Sequence, residues 1–151
     1  MMDFQTFEDV LDFAILQEKA AQEFYLDLSR KVLDKHVRSF YKELVQQEYI
    51  HEQKLMELKR YEFDLRAPDL EALRESGYLD AMPISPESTL NEAVRYAVKK
   101  ERSAKLLYLT LSQMVNQEEL AQLFRTLADQ EQAHREFFET EYKDCLMESE
   151  K

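Results

Sequence analysis

One constant offset constrains this chain more than any other feature: a skeleton of four residues recurs, unchanged in type, 83 positions later. Glu18 is followed by Tyr25, Glu48 and His51, and Glu101 by Tyr108, Glu131 and His134. The apolar positions keep the same register. Leu11 aligns with Val94, Ala14 with Ala97, Ala21 with Ala104 and Leu28 with Leu111. Val37 aligns with Leu120, Phe40 with Leu123, Tyr41 with Phe124, Leu44 with Leu127 and Leu55 with Phe138. A lone Glu-x-x-His in so acidic a chain carries little weight. Here two of the three histidines have one, each with the same upstream Glu and Tyr. The pattern is that of an internal duplication whose unit is one helical hairpin.

Apolar residues spaced by three and four predict four helices. They run from about Phe4 to Lys31, Lys35 to Tyr61, Leu90 to Val115 and Glu118 to Leu146. A single Gly and three Pro leave little material for turns, which favours long helices over short strands. The joints around Val32–Asp34 and Asn116–Gln117 are short, as between antiparallel neighbours. Between the hairpins lies a longer link, about residues 62–88, with Pro68, Pro83, Pro86 and Gly77. Pro68 could open a short helix that stops before Gly77. A link of this length can return the chain along the whole bundle, which predicts an antiparallel four-helix bundle with one long crossover between helices two and three. Thr89 with Glu92 reads as a capping box at the start of the third helix. Residues 1–151 are expected to form a single all-α domain.

The six residues Glu18, Glu48, His51, Glu101, Glu131 and His134 fall on the apolar stripes of these helices. A carboxylate in such a stripe is costly unless it is paired or bound to a cation. Four at one level would repel, and two divalent ions would cancel their charge. Glu and His three apart lie on one helix face, one turn from each other. One Glu from each of two helices, with Glu-x-x-His from each of the other two, is the ligand pattern of di-iron and di-manganese carboxylate bundles. Oxygen and imidazole donors without thiolates suit iron or manganese rather than structural zinc.

Other residues receive plainer readings. Tyr25 and Tyr108 are read as hydroxyls that hold a ligand carboxylate, beyond their role as core aromatics. Glu23 and Glu52 lie near the motif but off the stripe and are left out of the site. His36, at a helix start with no Glu three before it, reads as a surface residue. Cys145 is the lone cysteine and is read as a structural or surface thiol, so neither a disulfide within the chain nor a Cys-x-x-Cys metal knot is expected. The net charge of −11 argues against nucleic acid as a partner. No apolar run reaches the roughly 18–20 residues of a membrane span. The acidic N-terminus MMDFQTFEDV lacks a signal-peptide pattern, and a cytoplasmic location is expected.

The stretches LQEKAAQEFY, LVQQEYIHEQKL, VKKERSAKLLY and LADQEQAHREFF resemble the rubrerythrin-like branch of the ferritin-like di-iron carboxylate superfamily. The resemblance implies a ferritin-like bundle, often dimeric, so a homodimer is expected. It also implies a redox reaction: reduction of hydrogen peroxide at a diferrous centre, or oxidation of Fe(II) by dioxygen or peroxide. Two departures matter. Rubrerythrins proper carry a rubredoxin-like domain with two Cys-x-x-Cys knuckles. This sequence stops at Lys151 with one cysteine, so a separate electron donor such as a rubredoxin is expected. Rubrerythrins also carry an extra Glu three residues after the third-helix ligand, where this chain has Ala104, so an iron shift onto that Glu is not carried over.

The expectation is therefore a di-iron oxidoreductase that reduces hydrogen peroxide with two iron ions per chain. Glu48 and Glu131 would bridge the metals, with Glu18 and Glu101 as terminal carboxylates and His51 and His134 as imidazole ligands. A ferroxidase using dioxygen or peroxide is the alternative. A manganese catalase ranks below both.

Overall fold

The structure, a computed structural model, describes residues 6–60 and 89–143. These residues form four helices: α1 (Phe7–Lys31), α2 (Lys35–Leu58), α3 (Leu90–Met114) and α4 (Glu118–Glu141). At 1.5 Å per residue each rod is about 37 Å long. Two compact units contain them, one with α1 and α2, the other with α3 and α4. Within each unit the two helices pack along each other. The crossover expected at about residues 62–88, its short helix after Pro68, and Cys145 lie outside the described residues.

The helix ends follow from local chemistry. Thr6 caps α1: its hydroxyl accepts from the Asp9 N–H, and the Asp9 carboxylate accepts from the Thr6 N–H. That reciprocal box starts the helix at Phe7 rather than at the expected Phe4. The chain leaves α1 in extended geometry at Val32. Arg38, from the first turn of α2, donates to the Val32 carbonyl at 2.9 Å and ties the joint. Asp34 then caps α2, accepting from the N–H groups of both His36 and Val37. Thr89 accepts from the Glu92 N–H and opens α3 at the expected place, with this one bond of the capping box expected there. Gln117 precedes α4 without a side-chain cap, and Glu118 and Glu119 in the first turn complement the helix dipole instead. At the open end of the first hairpin, Lys59 pairs with Asp12 and lies near Glu8, linking the end of α2 to the start of α1.

The core carries the duplication in three dimensions. Leu11, Ala14, Ala21, Tyr25 and Leu28 are buried on α1, and Val94, Ala97, Ala104, Tyr108 and Leu111 at the matching places on α3. Tyr41, Leu44 and Leu55 on α2 correspond to Phe124, Leu127 and Phe138 on α4. The register extends further than the apolar pattern indicates. Ser29 and Ser112 are both buried, and each hydroxyl donates to a carbonyl three residues back, Leu26 and Leu109, at 2.6 Å. Val32 and Val115 close both hairpin joints as buried residues. Four predicted stripe positions at the far ends of the helices, Val37, Phe40, Leu120 and Leu123, are only half-buried.

Candidate metal centre

Each hairpin assembles one triad. In the first, Glu18 comes from the middle of α1, and Glu48 and His51 come from α2, one turn apart. In the second, α3 supplies Glu101, and α4 supplies Glu131 and His134. All six are 1–3% exposed. Within each triad, one ligand-type atom from every residue lies within 4.8 Å of the others. The structure thus brings together the three sequence-predicted residues of each half, and does so twice.

The distances repeat with the sequence. His51 Nδ1 is 3.8 Å from Glu18 Oε2 and 3.8 Å from Glu48 Oε2. His134 Nδ1 is 3.5 Å from Glu101 Oε2 and 3.9 Å from Glu131 Oε2. These separations exceed the usual N–H···O range of about 2.7–3.2 Å. Donor atoms sharing one metal through bonds of about 2.1 Å sit roughly 3–4 Å apart, and the triads have that spacing. In both halves Nδ1 is the ring nitrogen turned toward the carboxylates.

Charge makes the same point. Glu18 and Glu48 are buried with oxygens no more than 4.8 Å apart, as are Glu101 and Glu131. Like charges this close repel strongly away from water, and a divalent cation removes the cost. Two carboxylates and one imidazole per half is a hard-to-intermediate donor set, suited to iron or manganese. By their chemistry and spacing the buried Glu and His side chains of each half are a carboxylate–imidazole donor set that could hold a metal ion.

Around the triads the two halves are alike in burial and different in detail. Tyr25 and Tyr108 are both fully buried. Tyr108 stacks on Phe124 with centroids 6.5 Å apart, and Tyr25 meets the edge of Phe24 at 5.4 Å. His36 is exposed, and Glu23 is exposed as well. Glu52 departs from the sequence reading. It is 7% exposed, and its Oε1 accepts from Gln22 Nε2 at 2.7 Å. The Gln22 amide also donates to the Glu18 carbonyl at 3.3 Å. The buried stripe of α2 is wider than one line of residues, and Glu52, four residues after Glu48, lies on its flank. Periodicity alone gave no signal for it, since its burial depends on the facing helix, where Gln22 stands four residues after Glu18. Lys100, beside Glu101, is likewise buried at 8% and was not anticipated.

The comparisons with known proteins agree with this geometry. The rubrerythrin family model matches residues 92–150, which is less than half of the chain. No curated protein matches it. Among solved structures, the chain is similar to a protein of Thermotoga maritima described as ferritin-like and diiron-carboxylate. The TM-score is 0.69 and the identity 21%, over 95% of this chain and 98% of that one. At that identity the likeness shows the fold, and the all-α, ferritin-like four-helix class expected from the sequence holds. Among the described residues, no helix is long and apolar enough to cross a membrane. With the family match in its second half and this fold along its length, the chain resembles the rubrerythrin-like branch of the ferritin-like di-iron superfamily, as its motifs indicate.

Proposed function

We propose that the two triads hold a pair of iron ions and that the protein reduces hydrogen peroxide, with electrons delivered by a separate donor protein. The observation that carries this reading is the twice-built, fully buried set of Glu and Glu-x-x-His side chains. In this proposal Glu48 and Glu131 would be the bridging carboxylates, and Glu18 with His51, and Glu101 with His134, would each hold one ion. A ferrous pair held there would supply the two electrons that, with two protons, convert hydrogen peroxide to two waters.

The chain's own residues do the rest. Burial of all six ligands keeps bulk water from the carboxylates and fixes their rotamers by packing. In both triads the imidazole Nδ1 faces the carboxylates. Tyr25 and Tyr108, buried two helical turns after Glu18 and Glu101, are proposed to hold ligand carboxylates through their hydroxyls. A homodimer is the proposed assembly.

Ala104 favours a second reading, since it stands where rubrerythrins have a further carboxylate. With that group absent, Fe(II) itself as substrate, oxidised by dioxygen or peroxide, becomes the rival. Manganese in the same site, with catalase activity, is the third. The test is anaerobic loading with Fe(II), then rapid mixing with hydrogen peroxide and, separately, with dioxygen, followed by visible absorption. Much faster oxidation by peroxide, with repeated turnover on re-reduction, supports the proposal. Oxidation chiefly by dioxygen, with iron leaving and fresh Fe(II) entering, replaces it with the ferroxidase reading. Oxygen evolution from peroxide by manganese-loaded protein would select the catalase.

A further inference from the structure

The duplication makes departures from symmetry informative. Among the described residues, ten polar or charged side chains are buried: Glu18, Ser29, Glu48, His51, Glu52, Lys100, Glu101, Ser112, Glu131 and His134. Eight of them form four matched pairs across the repeat. The two without a buried counterpart are Glu52 and Lys100, one in each hairpin and of opposite charge. At the position matching Glu52 stands Arg135, which turns along its own helix to pair with Glu139 at 2.7 Å. At the position matching Lys100 stands Gln17, neutral and half-buried. Gln22, the amide that holds Glu52, corresponds to Lys105, which donates to Gln132 instead.

Both unmatched charges lie one residue from a triad member. Glu52 follows His51, and Lys100 precedes Glu101. Exposed charges elsewhere on the helices are screened by water and salt, whereas buried ones act through a medium of lower dielectric. An extra buried carboxylate attracts a divalent cation, and a buried ammonium repels one. Both differences therefore favour the first hairpin.

We propose that Glu52 and Lys100 make the two metal positions unequal, so that the Glu18–Glu48–His51 triad takes the first divalent ion and the Glu101–Glu131–His134 triad the second. This rests on the metal-site reading above. It assigns Glu52 and Lys100 as positioning residues that set affinity without binding metal, with Gln22 holding the Glu52 carboxylate in place.

The experiment is anaerobic calorimetric titration of the full chain with Fe(II) and with Co(II), using the cobalt ligand-field absorption as a second readout. Two bound ions repel each other, so a weaker second step is expected even from a symmetric site. The decisive comparison is among variants. Glu52→Gln keeps size and the Gln22 contact within reach, and should weaken the first step on the order of tenfold while leaving the second within about threefold. Lys100→Gln, which installs the residue of the other half, should strengthen the second step by a similar factor. His134→Ala, which leaves the first triad intact, should retain tighter single-ion binding than His51→Ala. Equal loss of both steps in Glu52→Gln, or equal single-ion affinity in the two histidine variants, overturns the assignment. Absence of metal binding by the unaltered chain would instead remove the metal-site reading itself. Circular dichroism of each variant separates misfolding from altered affinity, and Lys100→Gln gives an independent test should Glu52→Gln fail to fold.

Discussion

Replacing Glu48 with Gln should move stability in opposite directions with and without metal. Glu18 and Glu48 are 2% and 1% exposed, with ligand-type oxygens no more than 4.8 Å apart. At an effective dielectric of about 20, two unit charges at that separation repel by roughly 3 kcal/mol. Proton uptake by either group lowers the figure, so it is an upper bound for metal-free protein. Glu48→Gln removes that repulsion and keeps the side-chain volume. For a domain of this size, about 1 kcal/mol moves Tm by roughly 2–4 °C. The metal-free variant should therefore melt higher than the parent by up to about 12 °C. With metal the order reverses. A ligand at a hundredfold excess over Kd stabilises the native state by about 2.7 kcal/mol, worth roughly 5–11 °C. The variant lacks a proposed bridging carboxylate and should gain little of this. Thermal denaturation by circular dichroism, with chelator and with anaerobic Fe(II) or Mn(II), gives both signs in one series. A variant that melts lower than the parent by the same amount in both conditions would refute the reasoning, because Glu48 would then be an ordinary structural side chain.

Further outcomes follow from the fold. Leu44→Ala, at a fully buried position between Tyr41 and Glu48, should cost about 2–5 kcal/mol in urea denaturation; a loss below 1 kcal/mol would mean that this stripe is not core. Asp34→Ala removes the acceptor for two backbone N–H groups at the start of α2 and should cost about 0.5–2 kcal/mol, with Asp34→Asn recovering most of it. The Lys59 ammonium is held above its ordinary 10.5, chiefly by the hydrogen bond to Asp12, against opposing desolvation and with the charges of Asp12 and Glu8 adding. A raised folded-state value means that the link between α2 and α1 is intact below pH 10.5 and is lost as pH climbs through the higher folded value. NMR titration of Lys59 should show this, and Asp12→Asn should return the group toward its ordinary value; titration at or below 10.5 in the parent would contradict it.

The duplicated skeleton made most of the centre legible in advance. Fixed spacing on a helix determines which face a residue takes, so Glu18, Glu48 and His51, and their counterparts in the second hairpin, are buried together as their register requires. Helix ends were legible where a strong capping residue stands, as at Thr89, and less so at Thr6, where Asp9 takes the place usually held by Glu in the box. Stripe width was not legible. Periodicity gives the centre of a buried face but not how far packing extends to either side. Glu52 and Lys100 lie on those margins, and their burial depends on tertiary neighbours and on Gln22 rather than on local pattern. The two helix-end stripes fail in the other direction: Val37 and Leu120 keep the period but are only half-buried in the first turns of α2 and α4.

The central claim is that two matched triads bind two metal ions. Equilibrium dialysis of the full chain against Fe(II) under anaerobic conditions, with iron counted per chain in the parent and in His51→Ala and His134→Ala, tests it most directly. The account predicts two ions per chain in the parent and fewer in each variant, with both variants still folded. Fewer than two in the parent, or two retained in both histidine variants, would contradict it.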